Sequence, residues 1–374
     1  MLQRAIESQV VDCIWSSKHI IIYGPRQVGK TTLAKKILRE YGNSDDYYTA
    51  DDSDIVRLLS DANSITLSKF VGDKKLIVID EAQRIPNIGT VLKLIHDFYP
   101  NTQIIATGSS SFELANTIRE PLTGRKYTFY LYPFALGEIL PTARMYDHER
   151  LLDQYVQYGM YPDVFLGTGL QRKKLLSEIK EDYLFKDILN FRGIRKPDIV
   201  VKLLQALALQ IWSEVSYTEL ASLLAVDKKT IEDYIMILEQ AFIIYRLPSL
   251  SRNMRNEIKK SRKIYFRDTG IRNAVINNLN DMSLRADVGW LRENFCISER
   301  MKYIYNSGKS ANYYFWRTYE QQEIDLIEEH SWRLHCFEYK WWKKTTTIPQ
   351  AFAQSYTDYE FSVISKETIW QHTS

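Results

Sequence analysis

The chain is poor in the residues and runs that would mark a secreted, membrane or zinc-stapled protein. Its 374 residues hold three cysteines, Cys13, Cys296 and Cys336. They are far apart and show no CxxC or Cys/His ligand spacing, which excludes a disulfide framework and a structural zinc site. No apolar run approaches the roughly 20 residues of a membrane span. The longest are short stretches such as Ile20-Ile21-Ile22-Tyr23 and Leu76-Ile77-Val78-Ile79. Arg4, Glu7 and Asp12 interrupt the first apolar residues, unlike the h-region of a signal peptide. Fifteen Gly and ten Pro are too few for a collagen-like or low-complexity chain. Neither sign of charge dominates, since 49 Lys plus Arg against 46 Asp plus Glu leave +3. A nucleic-acid partner must therefore be argued from local clusters. These absences point to a soluble, cytoplasmic protein with no membrane partner.

What is present is enough for several cores. Apolar residues make up 45% of a chain whose length predicts two or three domains. Between residues 19 and 134, short β-branched runs at 19–23, 47–50, 76–79, 103–106 and 127–131 read as strands. Helical spacing at 30–41 and 91–99 separates them. Continuous apolar strands alternating with helices predict an α/β unit, a parallel sheet covered on both faces. From Pro133 onward helices take over, at 136–139, 150–158 and 172–189, followed by shorter helical units from 198 to 247. Strand character resumes at 264–266, and an α+β region with strands at 313–316, 323–327 and 334–339 runs to the end.

Gly24-Pro25-Arg26-Gln27-Val28-Gly29-Lys30-Thr31-Thr32 fits GxxxxGK[ST] without a mismatch, between a strand and a helix. Glycines let such a loop turn its N–H groups and the helix N-terminus toward phosphate. Lys30 would reach the β- and γ-phosphates and Thr31 would hold Mg²⁺ through its hydroxyl. Fifty residues on, the strand 76–79 runs into Asp80-Glu81. Asp80 at the strand tip would bind Mg²⁺, and Glu81 would orient and deprotonate the attacking water. The strand 103–106 ends in Thr107-Gly108-Ser109-Ser110-Ser111, where a hydroxyl can hold the γ-phosphate or the water. Ser109 is the first candidate and Thr107 the second; a serine capping the following helix explains the same residues.

These motifs, with Ile79-Asp80-Glu81-Ala82-Gln83, Leu122-Thr123-Gly124-Arg125 and Leu131-Tyr132-Pro133-Phe134, resemble the AAA+ ATPases of the archaeal-type lineage. The resemblance implies a five-stranded ATPase core over residues 1–134, a helical lid over 135–197, a winged helix over 198–263 and a restriction-endonuclease-like domain over 264–374. It further implies ATP and Mg²⁺ as ligands and oligomerisation through nucleotide sites shared between subunits. Arg119 and Arg125 follow the sensor strand, where such proteins often carry an arginine finger; Arg125 can equally pair with a nearby carboxylate.

Ser216-Tyr217-Thr218-Glu219 reads as a capping box, and a few residues separate its helix from a second one with Ile231, Tyr234, Ile235, Leu238 and Phe242 on one face. With a strand at 243–247 this describes a winged helix-turn-helix, whose Lys228, Lys229 and Thr230 would enter a DNA groove. Glu232, Asp233 and Glu239 on the same helix oppose that, and a protein partner is the alternative. The next stretch is basic: Arg246, Arg252, Arg255, Lys259, Lys260, Arg262 and Lys263 against Glu257 alone. It can contact backbone phosphate without reading sequence.

Near the C-terminus, Glu323-Ile324-Asp325 and Cys336-Phe337-Glu338-Tyr339-Lys340 alternate charge with apolar residues. Asp325, Glu338 and Lys340 can therefore share one face of adjacent strands. Asp325 and Glu338 would hold a metal, Lys340 would activate water, and Glu293 in the helical segment 289–299 would complete the set. The four resemble the PD-(D/E)xK nuclease superfamily, which implies the fold; activity does not follow from fold. Trp341, Trp342, Lys343 and Lys344 read as the packed end of that strand with a solvated edge. The expected function is an ATPase that moves its winged-helix and nuclease-like parts on DNA. The rivals are a nucleotide-gated protein-interaction switch and an active metal-dependent nuclease.

Overall fold

The computed structural model describes residues 2–60, 63–109, 121–181, 194, 196–210, 213–251, 262–318, 320–342 and 345–373. They divide into two compact units, one comprising residues 3–133 with 240–242 and the other comprising residue 2, residues 134–239 and residues 243–374.

The first unit is a five-stranded parallel sheet of β1 (His19–Tyr23), β2 (Tyr47–Thr49), β3 (Leu76–Asp80), β4 (Gln103–Gly108) and β5 (Lys126–Tyr130), in the order β2-β3-β4-β1-β5. Strands β1, β3 and β4 are buried along their whole length. That is why their sequences are continuously apolar instead of alternating, as expected for strands covered on both faces. Ile21, Ile77, Ile79, Ile104 and Ala106 pack with Ile88, Val91, Leu92 and Ile95 of helix Ile88–Phe98. Helix Lys30–Tyr41 packs against β3 and β4. Register places the C-terminal ends of β1, β3 and β4 side by side, with Tyr23 opposite Gly108 and Ile79 opposite Ala106. Ligands of open α/β sheets bind at that end.

In the second unit, helices Met145–Tyr158, Gly169–Ile179 and Pro197–Leu209 precede an antiparallel three-stranded sheet. It consists of β6 (Glu214–Val215), β7 (Ile244–Pro248) and β8 (Arg262–Phe266), in the order β6-β8-β7, with helices Tyr217–Leu223 and Lys228–Gln240 between β6 and β7. Ser216 caps the first of these by accepting from Glu219 N at 3.3 Å. A mixed four-stranded sheet follows, β12-β11-β10-β9, from β9 (Asn312–Arg317), β10 (Glu323–His330), β11 (Arg333–Tyr339) and β12 (Tyr359–Ile364). Helix Val288–Asn306 is tied to β8, since Asn294 Nδ2 donates to Phe266 O at 2.7 Å and Phe266 N donates to Asn294 Oδ1 at 3.0 Å. Strand β12, which pairs in parallel with β11, was not expected. Its alternation of Tyr359, Phe361 and Val363 with Glu360 and Ser362 is the signal for it.

Candidate functional site

The loop from Gly24 to Gly29 leaves the buried end of β1 and enters helix Lys30–Tyr41. Both motif glycines have a steric reason. A Cβ on Gly24 would lie 2.1 Å from the carbonyl oxygen of Leu131, and Gly29 caps the helix at φ +95°. A larger residue would displace backbone at the first and adopt a rarely populated conformation at the second. Val28 is buried, Gln27 takes φ 61°, and Thr32 points outward. Lys30 is buried and donates to the carbonyls of Gly24 and Pro25, both at 2.8 Å. Burial lowers its pKa to about 8, against the pull of Glu81 and Asp80 and with a contribution from Arg26.

Asp80, at the tip of β3, is the hub. Its Oδ2 accepts from Thr31 Oγ1 at 2.7 Å and from Tyr47 OH at 2.7 Å, while its Oδ1 accepts from Thr107 Oγ1. Thr107 in turn accepts from Glu81 N at 3.2 Å. Glu81 sits in the left-handed region at φ 51°, a conformation that costs an L-residue roughly 1 kcal/mol and is concentrated at functional sites. Gln83 Nε2 donates to Glu81 Oε2 at 2.5 Å and to Ser109 Oγ at 3.0 Å. The structure thus brings Lys30, Thr31, Asp80, Glu81 and Ser109 to one end of the sheet. Of the two hydroxyl candidates, Thr107 contacts the carboxylate hub itself, and Ser109 reaches Glu81 only through Gln83.

Three further residues contribute, Arg4 and Tyr47 from outside any motif and Gln83 from the end of the Ile79-Asp80-Glu81-Ala82-Gln83 run. Arg4 donates to Val28 O and to Tyr132 O, each at 2.6 Å, and so clamps the loop to the chain after β5. Tyr47 and Gln83 complete the set. Arg125 is not brought here. It precedes β5 at the opposite end of the sheet, where its Nε donates to Asp97 Oδ1 at 2.9 Å. Its expected role as a finger therefore has no support within one chain, because the alternative carboxylate pairing is the one adopted. Arg119, Ser110 and Ser111 lie outside the described residues.

Residues 16–140 match the family described as AAA domain. Within that stretch the five-stranded parallel sheet, its strand order and the loop that follows β1 fit an AAA+ P-loop α/β fold. Residues 149–282 and 288–371 match two domains of unknown function, DUF8612 and DUF4143. An uncharacterised protein of Mycobacterium tuberculosis is 27% identical over 327 residues, covering 86% of this chain and 70% of that one. An uncharacterised protein of Methanocaldococcus jannaschii is 25% identical over 297 residues, covering 68% and 62%. The solved Walker-type ATPase of Pyrococcus abyssi is similar with a TM-score of 0.50 and 16% identity, over 74% of this chain and 96% of that chain. At that identity the likeness is one of fold.

Outside residues 16–140, the basic stretch is less free than its sequence suggested. Arg246 is ion-paired with Glu239 at 2.5 Å, Arg262 stacks over the Tyr217 ring at 4.7 Å, and Lys263 is buried. Arg252, Arg255, Lys259 and Lys260 lie outside the described residues. At the start of helix Lys228–Gln240, Thr230 Oγ1 donates to Asp227 Oδ2 at 2.7 Å and Lys228 pairs with Glu232 at 3.6 Å; Lys229 is exposed. No helix of the described residues is long and apolar enough to cross a membrane.

The C-terminal carboxylates do approach one another. Asp325 is buried and its Oδ2 accepts from Tyr339 N at 2.8 Å; burial, then Glu293 and Glu338, hold its carboxyl well above the ordinary range. Glu338 pairs with Lys340 at 2.7 Å, and burial also raises its carboxyl. Yet among the described residues no group of three or more His, Cys, Asp or Glu is arranged to hold a metal ion. Glu293 points instead at Lys263 Nζ, at 3.2 Å, and at Tyr265 OH. Of the expected ligand set Glu293, Asp325 and Glu338, the first is engaged by a lysine from β8. Trp341 lies 4.5 Å from the Arg292 guanidinium and Trp342 is exposed; Lys343 and Lys344 lie outside the described residues.

Proposed function

We propose that the chain is a Mg²⁺-dependent ATPase whose hydrolysis drives the second unit against a partner. The observation that carries this is the 2.7 Å contact of Thr31 Oγ1 with Asp80 Oδ2, which joins the phosphate loop to the tip of β3 beside Glu81. Two hard oxygen donors suit Mg²⁺, which keeps waters and takes substrate phosphate oxygens for its remaining positions. When bound, the ion would neutralise charge on the β- and γ-phosphates. Backbone N–H groups of the loop from Gly24 to Thr32, Pro25 excepted because it has none, cradle the phosphates through Arg26, Gln27, Val28 and Gly29, and Lys30 turns from the loop carbonyls to the β- and γ-oxygens. Glu81 accepts the proton of the attacking water on a carboxylate oxygen, steadied by Gln83 and Ser109. Thr107 fixes the orientation of Asp80.

The partner we propose is DNA, contacted by a winged helix spanning 198–263 through backbone phosphates. The order β6, two helices, β7, β8 supports that reading. A second reading, a nucleotide-gated switch with a protein partner, is favoured by the pairing of Arg246 with Glu239 and the burial of Lys263. The test is ATP turnover with and without duplex DNA across a salt series. Stimulation that fades with salt supports DNA; unchanged turnover and no DNA retention support the switch.

A further inference from the structure

Four carboxylates of the second unit, Glu293, Glu323, Asp325 and Glu338, lie within electrostatic reach of one another. Lys263 of β8 enters this group from a neighbouring sheet. Its side chain is 2% exposed, its Nζ lies 3.2 Å from Glu293 Oε1 and touches Glu323 Oε1, and the Phe315 ring lies 5.6 Å away. Glu293 also accepts from Tyr265 OH, and Arg317 Nε lies 3.6 Å from Glu323.

We propose that the Lys263 ammonium is the resident cation of this cluster, standing where a divalent metal would otherwise bind, so that the C-terminal region holds no catalytic metal and cleaves no phosphodiester. An ammonium gripped by two carboxylate oxygens is a fixed positive charge that no chelator removes, and it repels any second cation brought to the same oxygens. Lys263 pairs with Glu293 and Glu323, Arg317 with Glu323, and Lys340 with Glu338, so three of the four acids already have a protein cation beside them. One oxygen of Glu338 is buried without a hydrogen-bond partner, which gives an incoming cation a ligand once the ammonium is gone.

The test uses the full chain carrying Asp80→Asn, which disables the nucleotide site, without nucleotide and with Mn²⁺ titrated by the loss of its free-ion resonance signal. With Lys263 intact, no sub-millimolar site is expected and supercoiled DNA is not nicked in Mn²⁺. Adding Lys263→Met, with circular dichroism confirming the fold, tightens Mn²⁺ binding roughly tenfold or more, and a further Asp325→Asn cancels the gain. A folded Lys263→Met chain that gains no Mn²⁺ overturns the proposal. Should that variant fail to fold, the Lys263-intact chain decides: a Mn²⁺ site, or Mn²⁺-dependent nicking, that Asp325→Asn abolishes overturns it, and its absence upholds it.

Discussion

At the scale of single residues, Lys30 shows how burial and chemistry interact. Folded, its amine titrates near 8, against 10.5 for an exposed lysine, because burial disfavours the ammonium. Between those values the folded chain holds fewer protons than the unfolded one, so this group's contribution to stability rises with pH across that window. Phosphate has the opposite effect, since triphosphate favours the ammonium. ATP binding at about pH 8.5 is therefore expected to take up a proton, and affinity to weaken as pH rises further. Calorimetry in two buffers of different ionisation enthalpy checks this: a buffer-dependent enthalpy at that pH, absent near pH 7, is the expected result, and buffer independence at both counts against it. The motif residues were legible because their chemistry is local in sequence. Thr107 and Ser109 were harder to rank. Thr107 lies in β4 and Ser109 just past its last residue, Gly108, and which one meets Asp80 depends on how far along β4 the tip of β3 ends. Arg4 and Tyr47 were not legible, as nothing near them in sequence signals the loop or the carboxylate they hold.

At the scale of elements, β1 depends on a histidine. His19 Nε2 lies 3.0 Å from Leu92 O and its Nδ1 3.1 Å from Ile104 N. Since a backbone N–H must donate to Nδ1, the ring is neutral with its proton on Nε2. Burial lowers its pKa to about 4, from 6.5. The unfolded chain gains this proton first, so stability present above pH 6.5 is lost as pH falls toward 4. At about 1.4 kcal/mol per unit the loss is on the order of 3 kcal/mol. Urea unfolding should show His19→Gln to be less acid-sensitive than the native chain over this window; equal slopes would refute the assignment. Strands β1, β3 and β4 were readable because burial on both faces makes them continuously apolar. Strand β8 was misread in meaning. Its Lys263 counted as one more cation of a basic stretch, whereas strand alternation turns it inward, and sequence alone cannot say which acids it meets.

At the scale of the whole molecule, the net charge of +3 conceals three separate arrangements. One is a candidate nucleotide site of a lysine and two carboxylates, another a basic stretch partly spent on internal ion pairs, and the last an acidic cluster with its own lysine. The sequence located all three, but the pairings that decide their chemistry are long-range and became visible only in the folded chain. The proposal that the P-loop unit hydrolyses ATP through Glu81 is checked by turnover and ATP affinity of Glu81→Gln beside the native chain. The amide keeps the shape and a hydrogen bond but cannot accept the proton of water. ATP binding at native affinity with turnover lowered about 10²- to 10³-fold is the expected result. Native turnover in Glu81→Gln would contradict it.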